Sequence, residues 1–186
     1  MAGRPDHARG VVVRRAEPND LATVVSLRLA LLREYDDHPL YAELHSDVVD
    51  RALDLFQSQL VASDERLFLA EIGGEAVGIL RAVDVRGSPL VRPDRYCYVS
   101  SVYVKPSARR QGVMRALVRA AEKWCDERGL GEMRLHNVSS SRIAVAAWSA
   151  LGFEVVEQVR RRPLRREDGG TQDDHSLAGH AAHAAR

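Results

Sequence analysis

The chain has 186 residues, 45% of them hydrophobic and 28% charged, with a formal net charge of +1. That length suits one domain around a single core, and that balance excludes a disordered or fibrous chain. A charge so near zero argues against nucleic-acid and membrane-surface partners, and no apolar run reaches the roughly 18 residues that span a bilayer.

Residues 1–9 (MAGRPDHAR) are polar, carry no secretory signal pattern and are expected to be a flexible N-terminus. Val11, Val12 and Val13 predict a first strand. Pro18-Asn19-Asp20 opens a helix in which Leu21, Val24, Val25, Leu27, Leu29, Leu31 and Leu32 recur at helical spacing as far as Tyr35. Asp37-His38-Pro39 ends it, and a second helix is predicted from Asp47 to Val61. Arg66 to Ile72, Gly73-Gly74 and Ala76 to Val85 read as a β-hairpin on a Gly-Gly turn. A loop from Gly87 to Asp94 leads to a strand over Tyr96 to Val104.

Further along, Val113, Leu117, Ala120, Ala121 and Trp124 share one face of a helix that stops at Gly129. Met133 to Asn137 returns as a strand parallel to the previous one, which makes a βαβ unit. A helix over 141–151 and a strand from Glu154 to Arg162 complete the order β-α-α-β-β-β-α-β-α-β. Residues 165–186 lack a core-forming pattern and are expected to form a disordered tail. That tail holds His175, His180 and His183 at irregular spacing, so no metal site is expected. Cys97 and Cys125 are far apart and fit two buried thiols in a reducing, cytoplasmic compartment.

The stretch Val102-Tyr103-Val104-Lys105-Pro106-Ser107-Ala108-Arg109-Arg110-Gln111-Gly112-Val113-Met114 joins a strand to a helix start. Amides at a helix N-terminus have no intrahelical partner, and the helix dipole favours negative charge there. Such a turn suits a pyrophosphate, and Gly112 lets the backbone approach it closely. The spacing is neither a P-loop nor a dinucleotide Gly-x-Gly-x-x-Gly. Charge is also asymmetric: Glu34 to Asp50 holds six acids and no lysine or arginine, and Lys105 to Arg119 holds five bases and no acid. An enzyme joining an anionic cofactor to a cationic amine has that pattern, although each charge read singly suits a solvated helix face.

The 102–114 stretch resembles the Gln/Arg-x-x-Gly-x-Gly/Ala acetyl-CoA signature of the GCN5-related N-acetyltransferases (GNAT). Arg109, Arg110, Gln111, Gly112 and Val113 fit it, and Met114 stands where the family has Gly or Ala. Residues 141–153 resemble the family's Asn-x-x-Ala-x-x-x-Tyr-x-x-x-Gly-Phe helix. Ala144, Gly152 and Phe153 match; Ser141 replaces the Asn and Trp148 the Tyr. The resemblance implies an α/β GNAT fold over 10–164: a central mixed, mostly antiparallel sheet with two splayed parallel strands and flanking helices.

It further implies acetyl-CoA as co-substrate and direct transfer to a primary amine, without an acyl-enzyme. Backbone groups of Val102, Tyr103 and Val104 would hold the pantetheine arm and polarise the thioester. The amides from Arg110 to Arg115 would hold the pyrophosphate, and Ser141 and Ala144 complete the cofactor set. The family's Tyr protonates the leaving thiolate, whereas the indole of Trp148 keeps its proton near neutral pH, so acid catalysis is expected to be weaker. The Tyr96–Val104 strand lacks the carboxylate that many relatives use as a base. His136 is the candidate base, with Tyr98, Asp84 and the Asp36-Asp37-His38 cluster as rivals. Asp36, Asp37 and Glu43 would attract a small cationic amine, a polyamine or an aminoglycoside-like compound. A protein or peptide amine is the alternative acceptor, and a non-catalytic acyl-CoA sensor is the alternative class. Relatives are commonly dimers, so a homodimer is possible.

Overall fold

The computed structural model describes residues 10–164, so the expectations for 1–9 and 165–186 lie outside the described residues. The elements are β1 (Val11–Arg15), α1 (Leu21–Arg33), α2 (Val48–Val61), β2 (Glu65–Ile72), β3 (Glu75–Arg86), β4 (Arg95–Val104), α3 (Val113–Arg128), β5 (Met133–Leu135) and α4 (Arg142–Ala150). The chain forms two compact units, one ending at His136 and one beginning at Asn137.

In the first unit the five strands lie in sequence order, with three antiparallel pairings followed by the parallel pair β4–β5. The β2–β3 hairpin turns on Gly73 and Gly74, at φ 60° and 83°, a left-handed pair that only glycine adopts without strain. On one face of the sheet α1 and α2 bury Val24, Val25, Leu27, Phe56 and Leu60 against Leu67, Leu69, Ile79 and Tyr103. Strand side chains alternate, so Gly78, next to Ile79, faces the other way and meets α3. There α3 buries Val113, Leu117, Ala121 and Trp124, and Gly129 ends it at φ 67°.

Asp84 is also on the α3 side. Its carboxylate accepts from Arg95 and from Arg128 Nε (2.9 Å) while its side chain is only 5% exposed. The hydrogen bond from Arg95, then that from Arg128, holds its pKa below the ordinary carboxylate value. This removes Asp84 as a rival base: two guanidiniums lower its proton affinity, and it points away from the Tyr98 face.

In the second unit, Ser141 caps α4 by accepting from the Ala144 amide (3.3 Å). Trp148 packs edge-on against Phe153, with centroids 5.1 Å apart. The strand expected from Glu154 to Arg162 is absent: residues 153–164 belong to no helix or strand. Val155, Val156 and Val159 are 77%, 85% and 68% exposed. The local pattern suits an extended chain, but a strand exists only through a ladder partner, and these residues have none among the described ones.

A Cβ at position 78 would lie 3.0 Å from Val113 Cγ1 and 3.1 Å from the Tyr103 carbonyl. Gly78→Ala should therefore cost about 1–3 kcal/mol in urea unfolding, by pushing the first turn of α3 off the sheet. Asp84→Asn should cost about 1–3 kcal/mol at pH 7, because two guanidiniums lose their countercharge. The folded-state pKa of Asp84 is depressed, so its contribution is present above the reference value of 3.8 and fades as pH falls below it. Urea midpoints of wild type and Asp84→Asn should thus converge in acid.

Candidate active site

β4 is the strand on which the site is built. Its pairing with β5 is confined to Cys97–Val99 against Met133–Leu135, while β4 itself continues to Val104. Ser100 to Val104 therefore present one backbone edge without a parallel partner. The β3 register shifts between Ile79 and Arg81, and Ser101 there takes φ 52°, a left-handed conformation that costs a non-glycine residue about 1–2 kcal/mol. The bulge re-aims the end of β4. The Ser-Ser pair at 100–101, inside an otherwise β-branched and aromatic run, was its sequence signal.

Beyond β4, Pro106–Ala108 makes one 3-10 turn, Arg110 sits at φ 63°, and Gly112 at φ 82° is the N-cap of α3. The first helical bond runs from the Ala116 amide to the Gly112 carbonyl (2.9 Å), leaving the amides of Val113 and Met114 ahead of it. A turn with its amides foremost is an anion cradle. Two side chains of this stretch bond within it and to α1. Arg109 Nε donates to the Val104 carbonyl (3.0 Å), and its guanidinium also bonds Glu34 at the end of α1. Gln111 donates to the Ser107 carbonyl (2.9 Å). Both side chains brace the loop ahead of the open amides of α3.

Tyr98 and His136 come together. The Tyr98 hydroxyl lies 2.9 Å from His136 Nδ1, and the rings meet edge-on at 5.6 Å. Tyr98 is half-buried and His136 exposed, so the pair runs from the protein interior to solvent. Burial raises the Tyr98 pKa, Tyr41 and Tyr96 add to that, and Arg81 and Arg28 oppose it. On the same face, Arg81 is bound by Glu65 at 2.7 and 2.6 Å and donates to Ser100 Oγ (3.2 Å).

Arg28 of α1, Tyr41 and Arg81, whose charges act on the Tyr98 pKa, are residues that sequence reasoning missed. An arginine set among Val24, Val25, Leu27 and Leu29, all buried, was the available signal. Asp36, Asp37 and Glu43 are exposed in the connection from α1 to α2. His38 accepts from the Leu40 amide (3.3 Å), and its ring lies 5.2 Å from that of Tyr41. Cys97 is fully buried, and hydrogen bonding with Cys125 together with burial pushes its thiol up in pKa, so it is no acyl carrier. Trp148, Ser141 and Ala144 lie in the second unit, on or at the start of α4.

Among the described residues no helix is long and apolar enough to cross a membrane, and no cluster of metal-binding side chains occurs. Residues 29–153 match the model of the acetyltransferase (GNAT) family. The aminoglycoside N(6')-acetyltransferase type 1 of Klebsiella aerogenes is 34% identical over 163 residues, covering 82% of this chain and 97% of that protein. The enzyme of the same name from Stenotrophomonas maltophilia is 32% identical over 161 residues, with 82% and 92% covered. The fold is shared with the aminoglycoside N-acetyltransferase AAC(6')-Iy in complex with CoA, at TM-score 0.68 and 24% identity over 89% of this chain and all of that one. A Clostridium acetobutylicum acetyltransferase with acetyl-CoA superposes at TM-score 0.67, 16% identity, over 82% and 96%. With a family match spanning both motifs, and relatives aligned over most of their length, the chain belongs to the acetyltransferase (GNAT) family and is an acyltransferase.

Proposed function

We propose that this protein transfers the acetyl group of acetyl-CoA directly to a primary amine of a small, cationic, aminoglycoside-like molecule. The observation that carries the reading is the open edge of β4 after Val99 beside the glycine-opened start of α3. The acceptor class rests on the activity for which the two relatives are named and on the exposed acids Asp36, Asp37 and Glu43.

In this reading the cofactor pyrophosphate lies on the amides from Arg110 to Arg115, and its pantetheine arm follows the free edge at Val102, Tyr103 and Val104. An edge amide of β4 polarises the thioester carbonyl. The neutral amine attacks the carbonyl carbon, the tetrahedral intermediate collapses, and the C–S bond breaks to release CoA thiolate. The proton shed by the amine goes to the Tyr98 oxygen as the Tyr98 proton passes to His136 Nδ1, and His136 delivers it to solvent. By the family's pattern position 148 serves the thiolate. Trp148 stands at that position in the sequence, and an indole N–H can donate a hydrogen bond but no proton. A thiol pKa near 8.5, that of free cysteine, makes the thiolate a tolerable leaving group unaided.

Thiol release from acetyl-CoA should rise with aminoglycosides rather than with amino acids or lysine peptides. Gly112→Asp places a carboxylate where the pyrophosphate binds and should cut kcat/KM for acetyl-CoA about 30-fold, the equivalent of roughly 2 kcal/mol. Preferred turnover of lysine peptides would move the acceptor to proteins, and cofactor binding without any amine-dependent release would make the chain a sensor. Tyr98→Phe and His136→Ala should each lower kcat about 100-fold, and the double variant should be little worse than either, because one proton path is cut in each case.

A further inference from the structure

Ser100 is the first residue of β4 past its last pair with β5, Val99 against Leu135, and it is half-buried. It stands two residues on from Tyr98 in a stretch of regular ladder, so both side chains point to the same face of the sheet. Arg81, the ladder partner of Ser100 on β3, donates from Nη1 to Ser100 Oγ (3.2 Å). Glu65 holds the rest of that guanidinium, with Nε at 2.7 Å and Nη2 at 2.6 Å from its two oxygens. Both side chains of this pair are only 15% exposed, so Arg81 is a fixed donor whose charge is already countered. A hydroxyl has one proton to give and two lone pairs, and here an N–H occupies one lone pair. The Ser100 O–H must therefore point away from Arg81, and none of the described residues accepts it. Arg134, the ladder partner of Tyr98, lies over the Tyr96 ring (4.1 Å) and bonds Glu132, on the opposite side of Tyr98 from Ser100.

A donor that is held in place and left unpaired where a strand edge opens suits an oxygen that gains negative charge. In the acetyl transfer proposed above, the pyrophosphate lies at the start of α3 and the arm runs back along β4 from Val104 to Val102. The thioester then arrives beside Ser100, with the attacking amine toward Tyr98. We propose that Ser100 is a catalytic residue whose hydroxyl donates a hydrogen bond to the thioester carbonyl oxygen as attack turns it into an oxyanion. The edge amide of β4 is the second donor. Ser100 keeps its proton throughout: the C–S bond still breaks to release CoA thiolate, and the amine proton still leaves through Tyr98 and His136. Arg81 fixes the direction of the hydroxyl before the reaction begins, and a donor already oriented costs no reorganisation when charge develops. This rests on the amine-acetylating function proposed above and adds to it a side-chain donor for the oxyanion.

The test is the steady-state kinetics of Ser100→Ala, Ser100→Cys and Ser100→Thr with an accepted amine, alongside calorimetric binding of acetyl-CoA. An interaction made only in the transition state costs kcat when it is lost and leaves ground-state binding alone. Ser100→Ala should lower kcat about 30-fold, while KM for the amine and Kd for acetyl-CoA stay within about twofold. The loss should be equal at every pH, because a serine hydroxyl does not titrate in the working range. Ser100→Thr keeps the hydroxyl and should recover most of the rate. Ser100→Cys keeps the size with a much weaker donor, should lose kcat as Ser100→Ala does, and carries the test if the alanine variant does not fold. Wild-type kcat in Ser100→Ala or Ser100→Cys overturns the proposal, as does a loss explained wholly by weaker acetyl-CoA binding. A shifted pH limb would put Ser100 on the proton path, and a threonine variant as slow as alanine would make the serine structural; either overturns it too. Absence of amine-dependent thiol release in wild type overturns the function and the proposal together, whereas wild-type turnover with an undiminished Ser100→Ala overturns only the role of Ser100.

Discussion

The parting of β4 from its parallel neighbour is the constraint on which the rest depends. Three residues of β5 pair with Cys97–Val99, and then the ladder stops while β4 continues for five residues more. Backbone groups at a strand edge cannot be left unsatisfied in a dry interior, so an edge of this kind must face water or a ligand. The strain at Ser101 belongs with it. A left-handed serine in the middle of a strand turns the peptide plane just where pairing ends, and it persists because β3 holds the strand on both sides of the bulge.

The helix that follows completes the arrangement. Pro106 stops the strand, and the Arg110 and Gly112 conformations reverse the chain so that α3 starts with its amides forward. Gly78 permits the closeness: Val113 and Leu117 of α3 pack on it so tightly that a methyl group would stand 3.0 and 3.3 Å from their side chains. The cofactor-binding reading therefore depends on a glycine in a different strand, which contributes only the absence of a side chain.

Most of the elements were legible because each carries a local signal. The valine run of β1, the Gly-Gly hairpin, the apolar stripe of α3 and its stop at Gly129 reflect backbone preference and periodicity, and the structure places them within a few residues. The motifs at 102–114 and 141–153 made the family readable. The strand expected at 154–162 failed because strand formation is decided by a partner and not by the segment itself. Side-chain duties were illegible for a related reason. Arg109 and Gln111 occupy motif positions, yet what each binds, Glu34 and Val104 or Ser107, depends on which distant segments arrive beside the loop. The Tyr98–His136 contact joins residues 38 positions apart, and only the parallel pairing of β4 with β5 sets that distance.

One helix ties the two sides of the site together. α1 puts its leucines and valines into the core, and Glu34, just past its last turn, on Arg109 of the loop that leads to α3. Buried apolar contacts fix the helix more firmly than any single surface ion pair could. A rigid α1 then pins Arg109 between Glu34 and the Val104 carbonyl at the end of β4. The end of β4 and the loop before α3 are thus referred to the same body. That matters for a transfer without a covalent intermediate, because its rate depends on holding two bound molecules in one alignment. The packing of α1 supplies the geometry, and Glu34 fastens the loop to it through Arg109.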